Sequence, residues 1–177
     1  MTDLRMAHTA DLTAAELSAA RDLLLAAFDG DFGEQDWDHA LGGLHATIWE
    51  DGALIGHASV VQRRLLHGGR ALRAGYVEAV GVRRDRRRRG HAGQLIQAVE
   101  RVIRSGYQLG ALASSEQGAA LYVGRGWLRW VGPTSALTPT GIRRTADEDG
   151  GIFVLRGTAE LDLHGELSCD WRDGDVW

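Results

Sequence analysis

The stretch Val80–Ala92, VGVRRDRRRRGHA, decides the fold of this 177-residue chain. An apolar segment ends at Val82, a run of arginines follows, and apolar residues recur at helical spacing after Gly90. The stretch therefore predicts a strand, then a basic loop, then the first turn of a helix. Free N–H groups and the positive dipole end at a helix N-terminus favour anions, so this arrangement is typical of a phosphate site.

Charge is concentrated around the same stretch. All 20 basic residues of the chain are arginines. Residues 60–105 hold 12 of them against Glu78, Asp85 and Glu100, a local balance of +9, whereas the remainder balances to −13. We therefore expect an anion to bind the basic segment and a cation to bind the acidic remainder. A solvated charge run is one alternative. A nucleic-acid contact is another, which the overall acidity and the lack of aromatic residues in the run disfavour.

Composition indicates one soluble domain spanning 1–177, with 44% apolar residues, 25% charged residues and a net charge of −4. The longest uninterrupted apolar run, Leu23–Phe28, is far shorter than the roughly 20 residues that a membrane span requires. There is no basic-then-apolar leader, and Cys169 is the single cysteine, so we expect a cytoplasmic protein without an internal disulfide. The seven histidines show no metal-ligand spacing, and no metal is expected.

Patterns on either side of the stretch predict an α+β domain with one mixed sheet. Thr13 and Glu16 form a capping-box pattern ahead of the first helical segment. Helices are expected over about 14–28, 35–41, 91–105 and 117–125. The turn sequences Asp51-Gly52 and Gly68-Gly69 predict an antiparallel meander of three strands. Strands are expected over 44–50, 54–66, 72–82, 107–113, 127–131, 151–155 and 160–169.

The residues Arg87–Ala92 fit the Q/R-x-x-G-x-G/A signature of the GCN5-related N-acetyltransferases (GNAT). The signature lies after a predicted strand and before a predicted helix, which is the context that this family requires. The resemblance implies that the segment binds the pyrophosphate of acetyl-CoA. The cofactor-binding residues that it implies are Val80, Val82, Arg87, Arg88, Arg89, Gly90, His91 and Ala92.

A more extensive similarity links the chain to the aminoglycoside 2′-N-acetyltransferases within that superfamily. The matching segments run in family order from Phe28 to the terminus, and Gly75-Tyr76-Val77-Glu78 and Cys169–Trp177 are among them. The resemblance implies a mixed, mostly antiparallel sheet flanked by helices. It also implies acetyl transfer from acetyl-CoA to the 2′-amino group of a drug by direct attack of the amine on the thioester, which would give resistance. Relatives are commonly dimeric, so we expect a homodimer.

Two side chains are candidates for proton transfer. Glu78 lies in the otherwise apolar segment Tyr76–Val82, where partial burial would raise its pKa toward that of a general base. A surface position for Glu78 and a packing role for Tyr122 are the alternatives. The resemblance implies that Glu78 acts as the base through ordered water and that Tyr122 protonates the thiolate. It also implies that the backbone N–H near Val80 polarises the thioester carbonyl, and Gly81 fits a distorted strand there.

Acidic residues form three clusters that suit a polycationic acceptor. They lie at Asp29–Asp38, at Asp147–Asp149, and at Asp173 and Asp175 beside the terminal carboxylate. Each cluster alone fits a solvated loop better, but three clusters in a protein with one basic segment fit the expected division of charge. The resemblance implies substrate contacts at Asp31, Glu78, Glu148, Asp175 and Trp177, and Asp36 is a further candidate. Relatives carry Asp at position 148 and Ser at position 113, where this chain has Glu and Ala. We also expect the tail to pack down, because it ends in a large aromatic residue.

Two further interpretations stay open at this point. The first is an acetyltransferase of the same fold that uses another small amine as its acceptor. The second is a non-catalytic module that binds nucleic acid through the arginine-rich loop. Neither of the proton-transfer residues, Glu78 and Tyr122, is needed by such a binding module, so variants of these residues separate the two classes.

Overall fold

The computed structural model describes every residue from Met1 to Trp177 and contains ten strands and four α-helices. The helices are α1 (Ala14–Ala27), α2 (Glu34–Ala40), α3 (His91–Gly106) and α4 (Glu116–Val123). The strands are β1 (Thr2–His8), β2 (Leu44–Glu50), β3 (Ala53–His67), β4 (Arg70–Val82), β5 (Leu109–Ala113), β6 (Leu128–Arg129), β7 (Thr134–Thr138), β8 (Gly141–Arg144), β9 (Ile152–Arg156) and β10 (Leu167–Cys169). The α+β class expected from the sequence is confirmed. No helix is long and apolar enough to cross a membrane.

The chain forms two compact units. The first comprises Met1–Val61 and Val77–Arg101, and the second comprises Gln62–Tyr76 and Val102–Trp177. Two strands, β3 and β4, and the helix α3 each run from one unit into the other.

The first unit is built on antiparallel pairing of β1 with β2 and of β2 with β3. Helix α1 begins with the expected capping box, in which the Glu16 carboxylate accepts from the Thr13 N–H at 2.9 Å. Its buried face contributes Leu23 and Leu24 to a core that also contains Phe32 and Leu54. This core packs α1 against the C-terminal part of β4, directly ahead of the basic loop.

In the second unit the strands follow the order β6-β9-β5-β4-β3-β10-β7-β8. Two of these pairs are parallel, β4 with β5 and β10 with β7, whereas β9, β6 and β8 pair antiparallel with their neighbours. The mixed, mostly antiparallel character of the sheet is therefore confirmed. The core of this unit includes four large side chains with at most 1% exposure, Tyr76, Trp127, Trp130 and Phe153.

The predicted helices and the meander are confirmed to within about two residues, but several strand predictions are wrong. Strands β1, β7 and β8 were not anticipated, since β1 and β8 are largely exposed and lack a continuous apolar face. The strand expected over 160–169 is reduced to β10, because its first half is a turn in which the Gly165 N–H bonds the Asp162 carbonyl at 3.1 Å. The strand expected over 127–131 keeps only two residues.

Candidate active site

Strand β4 is distorted at Ala79, between the candidate base and the candidate oxyanion donor. Ala79 has φ +51°, a left-handed conformation that residues with a Cβ rarely adopt. Its carbonyl accepts a hydrogen bond from His57 Nδ1 at 2.8 Å, and the preceding Glu78 carbonyl accepts from the Ser59 hydroxyl at 3.4 Å. Buried side chains of β3 therefore hold the backbone on both sides of the distortion.

The distortion does not lie at Gly81, where the sequence placed it. Gly81 has no positive φ, and a Cβ there would approach Leu24 Cδ2 to 3.0 Å. The residue is glycine because α1 packs directly on the strand. Ala79 bends the strand instead, with support from its hydrogen-bond partners.

The edge of β4 that faces away from β3 is paired over only a short length. The ladder with β5 comprises Ala74, Gly75 and Tyr76, although β4 continues to Val82. Glu78, Val80 and Val82 therefore lie on a strand segment that no partner strand pairs on that edge, and Glu78 is half-buried there. A strand edge of this kind offers backbone groups to an extended ligand.

Four of the six loop arginines are bound within the chain. Their partners are Asp85 for Arg83, Asp29 for Arg84, Glu50 and Asp85 for Arg86, and the backbone carbonyls of Val82 and Ala27 for Arg87. The contacts of Arg87 measure 3.1 Å and 2.8 Å, so its guanidinium closes the loop onto α1 and β4. The basic run is thus largely a folded element, which the sequence did not reveal.

Arg88 and Arg89 remain as exposed cations with no hydrogen bond or ion pair inside the chain. Both precede the first helical hydrogen bond of α3, from the Gln94 N–H to the Gly90 carbonyl at 3.1 Å. Gly90 has φ +85° and open space where a Cβ would be. The buried His91 ring donates from Nδ1 to the Gln94 side chain at 3.2 Å. Two free cations at an open helix N-terminus fit an anionic phosphate group.

Tyr122 lies on α4 with 7% exposure, packed edge-on against Trp127 and tilted against Phe153. Its hydroxyl makes no hydrogen bond within the chain, and it is not among the fully buried polar atoms that lack a partner. Burial raises the pKa of Tyr122 to about 12, so the phenol carries its proton at neutral pH. Tyr122 is therefore a packing residue and also a protonated donor, so its burial is compatible with both the packing role and the proton-transfer role considered from the sequence.

The second and third acidic clusters meet in the second unit. Glu148 is half-buried at the end of a 3₁₀ turn (Ala146–Glu148), and its pKa is raised by burial first and then by the charges of Asp175 and Asp147. A bound cation would relieve the repulsion that Glu148 experiences from these two carboxylates. By contrast Asp149 is structural, since it accepts from Arg144 and from Thr134, and these bonds lower its pKa.

The C-terminal tail packs down as expected, and Trp177 is 2% exposed. Its indole N–H donates to Thr145 Oγ1 at 2.9 Å, beside the turn that carries Glu148. A terminal oxygen of Trp177 accepts from the Arg172 guanidinium at 2.7 Å, and the Trp177 N–H bonds the Asp175 carboxylate at 3.1 Å. The Trp177 backbone therefore lies beside Arg172 and the Asp175 carboxylate, and its indole lies beside the turn that carries Glu148.

The tail is anchored further upstream by Arg63, whose side chain is 4% exposed. Arg63 donates to the Asp170 carboxylate at 2.7 Å, to the Asp170 carbonyl at 3.0 Å and to the Val176 carbonyl at 2.7 Å. Its guanidinium also lies 4.7 Å from the centre of the Tyr76 ring. Sequence reasoning missed this role, because Arg63 lies 107 and 113 positions from its partners Asp170 and Val176.

The carboxylates of the first acidic cluster, Asp29–Asp38, differ in their contacts. Asp31 is exposed and has no side-chain partner, whereas Asp36 accepts from the Gly33 N–H at 2.7 Å and thereby caps α2. Asp29 pairs with Arg84 of the loop. Of these three, Asp31 alone has a carboxylate uncommitted within the chain. The structure contains no group of three or more His, Cys, Asp or Glu side chains arranged to hold a metal ion.

The fold and the loop define an acetyltransferase of the GNAT class. The GNAT acetyltransferase domain family matches residues 8–129. A GNAT family N-acetyltransferase of Escherichia coli, solved with CoA, has a TM-score of 0.65 and 18% identity, covering 94% of this chain and 88% of that chain. A GNAT family acetyltransferase of Brucella melitensis, solved with acetyl-CoA, has a TM-score of 0.62 and 16% identity, covering 93% and 94%. The chain belongs to the GNAT acetyltransferases.

A much nearer relative refines this assignment within the family. A curated aminoglycoside 2′-N-acetyltransferase of Mycolicibacterium fortuitum is 54% identical to the chain, covering 98% of this chain and 91% of that protein. The resemblance seen in the sequence is confirmed by this match.

Proposed function

We propose that the chain transfers acetyl from acetyl-CoA to the 2′-amino group of aminoglycosides. The observation that carries the proposal is its near-full-length similarity to a protein of that activity. The acidic cluster of the second unit supports it, because aminoglycosides are polycations and Glu148, Asp175 and the Trp177 terminus supply negative charge.

Acetyl-CoA fits the residues at the start of α3. The uncommitted guanidinium groups of Arg88 and Arg89 suit a diphosphate, and Gly90 allows the backbone to approach it closely. The N–H groups of His91 and Ala92 open the helix and add its positive dipole end. The β4 edge at Val80 and Val82 suits the amide groups of pantetheine. Arg87 holds the loop in shape rather than supplying free charge.

The chemistry requires a base, a carbonyl-polarising donor and an acid. Bound acetyl-CoA supplies the activated thioester. Glu78, half-buried beside the distortion, takes the proton of the attacking amine through ordered water, while a C–N bond forms and the C–S bond breaks. The Val80 N–H donates to the thioester oxygen as negative charge develops there. Tyr122 holds the proton that the departing thiolate receives.

Recognition of the acceptor falls to carboxylates. Asp31 has an unpaired carboxylate, and Glu148 is held near Asp175 by the packed tail. Asp36 contributes at most one oxygen, because the other caps α2. Acetylation removes one positive charge from the drug and weakens its attraction to anionic RNA, which is the physical basis of resistance.

We further propose that residues 1–177 act as one catalytic domain. A homodimer and a cytoplasmic location, where acetyl-CoA is consumed, are also proposed. Gel filtration with light scattering tests the dimer directly, and a monomer at micromolar concentration contradicts it.

The proposed reaction is tested by thiol release from acetyl-CoA with two matched drugs. Tobramycin carries a 2′-amine, whereas kanamycin A carries a 2′-hydroxyl and keeps its other amines. Turnover with tobramycin alone is expected. Turnover with both drugs moves the acetylated amine elsewhere on the drug, and turnover with neither, while acetyl-CoA still binds, indicates a different small amine as the acceptor.

A further inference from the structure

A chain of buried polar side chains ends at the distorted residue of β4. The Ala79 carbonyl bonds His57 Nδ1 at 2.8 Å, His57 Nε2 bonds His45 Nδ1 at 2.9 Å, and His45 Nε2 bonds the Thr9 hydroxyl at 2.8 Å. Both rings are fully buried. All of these residues belong to the first unit.

The direction of every proton in this chain follows from its last link. A carbonyl oxygen only accepts, so His57 donates from Nδ1 and a neutral His57 accepts at Nε2. His45 therefore donates from Nδ1 and accepts at Nε2, and the Thr9 hydroxyl donates to it at 2.8 Å rather than to the Gly43 carbonyl, which lies at 3.3 Å. The Thr9 oxygen accepts in turn from the Gly42 N–H at 2.9 Å. Each ring nitrogen has one partner, and a single arrangement of tautomers satisfies them all.

The chemistry of the rings supports this neutral arrangement. Burial lowers the pKa of His57 to about 4 against the opposing hydrogen bond to Ala79. Burial lowers the pKa of His45 to about 4 as well, with smaller contributions from the charges of His57 and His8. Trp37 of α2 lies against His57 with its ring centre at 6.4 Å and adds apolar cover.

The bonded carbonyl belongs to a functionally important peptide group. The Ala79 C=O and the Val80 N–H are parts of the same peptide unit, which is planar and trans. They therefore point in opposite directions, and a carbonyl fixed toward His57 fixes the N–H toward the other side. A hydrogen bond to the carbonyl oxygen also polarises the attached N–H and strengthens its donation.

We infer that His57, oriented by His45 and Thr9, is a positioning residue that aims and polarises the Val80 N–H toward the thioester oxygen. The inference rests on the proposed function for acetyl-CoA but not on the identity of the acceptor. The left-handed backbone of Ala79 is strained for a residue with a Cβ, and the hydrogen bond from His57 holds it against relaxation to an ordinary strand.

The test compares two substitutions of one side chain. His57→Asn keeps an N–H close to the position of Nδ1, whereas His57→Leu fills similar space without a donor. We expect His57→Leu to lower kcat about tenfold, a fraction of the loss caused by removing an oxyanion donor outright. The affinity for CoA, measured by calorimetry, stays at the wild-type value in both variants, and His57→Asn recovers most of kcat.

A spectroscopic readout separates positioning from packing. The carbonyl stretch of bound [1-¹³C]acetyl-CoA is measured by isotope-edited infrared spectroscopy, with no acceptor present. The wild type and His57→Asn are expected to shift the band to lower frequency, and His57→Leu to return it toward the free value. The inference is overturned if the wild type shows no shift, if His57→Leu retains it, or if both variants lose it equally.

A third variant covers the case in which the ring itself is needed for folding. Thr9→Val removes the donor to His45 at the partly exposed end of the chain, leaves His45 Nε2 without that hydrogen bond and so loosens the support of His57. We expect about a threefold loss of kcat and a partial loss of the carbonyl shift; wild-type values of both overturn the inference. If tobramycin is not acetylated but the shift follows His57, the acceptor proposal fails and the positioning inference stands.

Discussion

Two regions of the molecule hold strained or terminal backbone by opposite means. In the first unit, the neutral His57 ring, supported by the neutral His45 ring, holds the Ala79 carbonyl by a hydrogen bond that involves no formal charge. In the second unit, the charged guanidinium groups of Arg63 and Arg172 hydrogen-bond to carbonyl and carboxylate oxygens of the C-terminal tail. Both devices fix backbone that carries a proposed functional group.

The difference follows from the charge that each region must handle. In the proposed reaction, negative charge develops near Val80 only while the thioester is attacked, and a neutral, preorganised donor costs little before that moment. In the tail, carboxylates are charged before any reaction, and cations such as Arg63, which pairs with Asp170, offset them. The two regions should therefore respond differently to truncation, to loss of a cation, to acid and to salt.

The largest effect on activity is expected from deletion of Val176 and Trp177. The deletion moves the terminal carboxylate from Trp177 to Asp175 and removes the anchor to Thr145 and an acceptor of Arg63. We expect kcat/KM for tobramycin to fall at least about 100-fold, or about 2.7 kcal/mol, with CoA affinity unchanged. Trp177→Phe keeps the carboxylate and loses only the indole bond, so a smaller loss is expected. Equal activity of the truncated and intact enzymes contradicts the proposed role of the tail.

The ion pair between Arg63 and Asp170, which anchors the tail, should stabilise the fold. Arg63→Ala removes the guanidinium donor from the partly buried Asp170 carboxylate and from the Val176 carbonyl. We expect the free energy of unfolding in urea to fall by about 3 kcal/mol, at the lower end for buried ion pairs because Asp170 is partly exposed. Arg64→Ala is the matched control, since the neighbouring side chain is exposed and only its backbone contacts Asp170. Equal losses in the two variants refute the assignment.

The hydrogen-bonded pair of neutral histidines, His45 and His57, should make the fold less stable in mild acid. Above pH 6.5 both imidazoles are neutral in the folded and unfolded chain, so they add no pH dependence. Between pH 6.5 and 4 the unfolded chain binds protons that the folded rings, with pKa values lowered to about 4, do not. The free energy of unfolding therefore decreases as the pH decreases through this range, by up to about 3 kcal/mol for each ring.

Unfolding curves across this pH range check the acid effect. His57→Asn should flatten the decline, whereas the control His164→Asn, at an exposed ring, should leave it unchanged. An unchanged decline in His57→Asn shows that other groups cause the acid sensitivity.

Sequence predicted the loop, α1, α3 and the meander because these depend on local signals. Capping residues, Asp-Gly and Gly-Gly turns and helical spacing act within a few positions. The GNAT assignment required a motif and its context together. Strand β8 could not be predicted, since its pairing with β7 exposes all four of its residues and leaves no apolar pattern.

Candidate site residues can be named from the sequence only where each carries its own signal. Glu78, a charged residue in an apolar strand, and Tyr122, taken from the family resemblance, remain predictions of this kind. The chain from Thr9 to His57 joins residues separated by 36 and 12 positions, and no local pattern marks it. Nor could sequence tell which loop arginines are paired within the chain and which are free, because the contacts of Arg86 with Glu50 and of Arg87 with Ala27 form only on folding.

The smallest effect is expected from the two free cations of the loop. Replacing both Arg88 and Arg89 by alanine should weaken CoA binding about tenfold, since each guanidinium meets phosphate at an exposed, salt-screened site. The binding of pantetheine, which lacks the diphosphate, should not change. Arg70→Ala is the control, because it removes an exposed positive charge at the start of β4. Calorimetry at two salt concentrations should show a shallower salt dependence for the double variant alone. If Arg70→Ala weakens CoA binding equally, general charge rather than the helix N-terminus holds the phosphates.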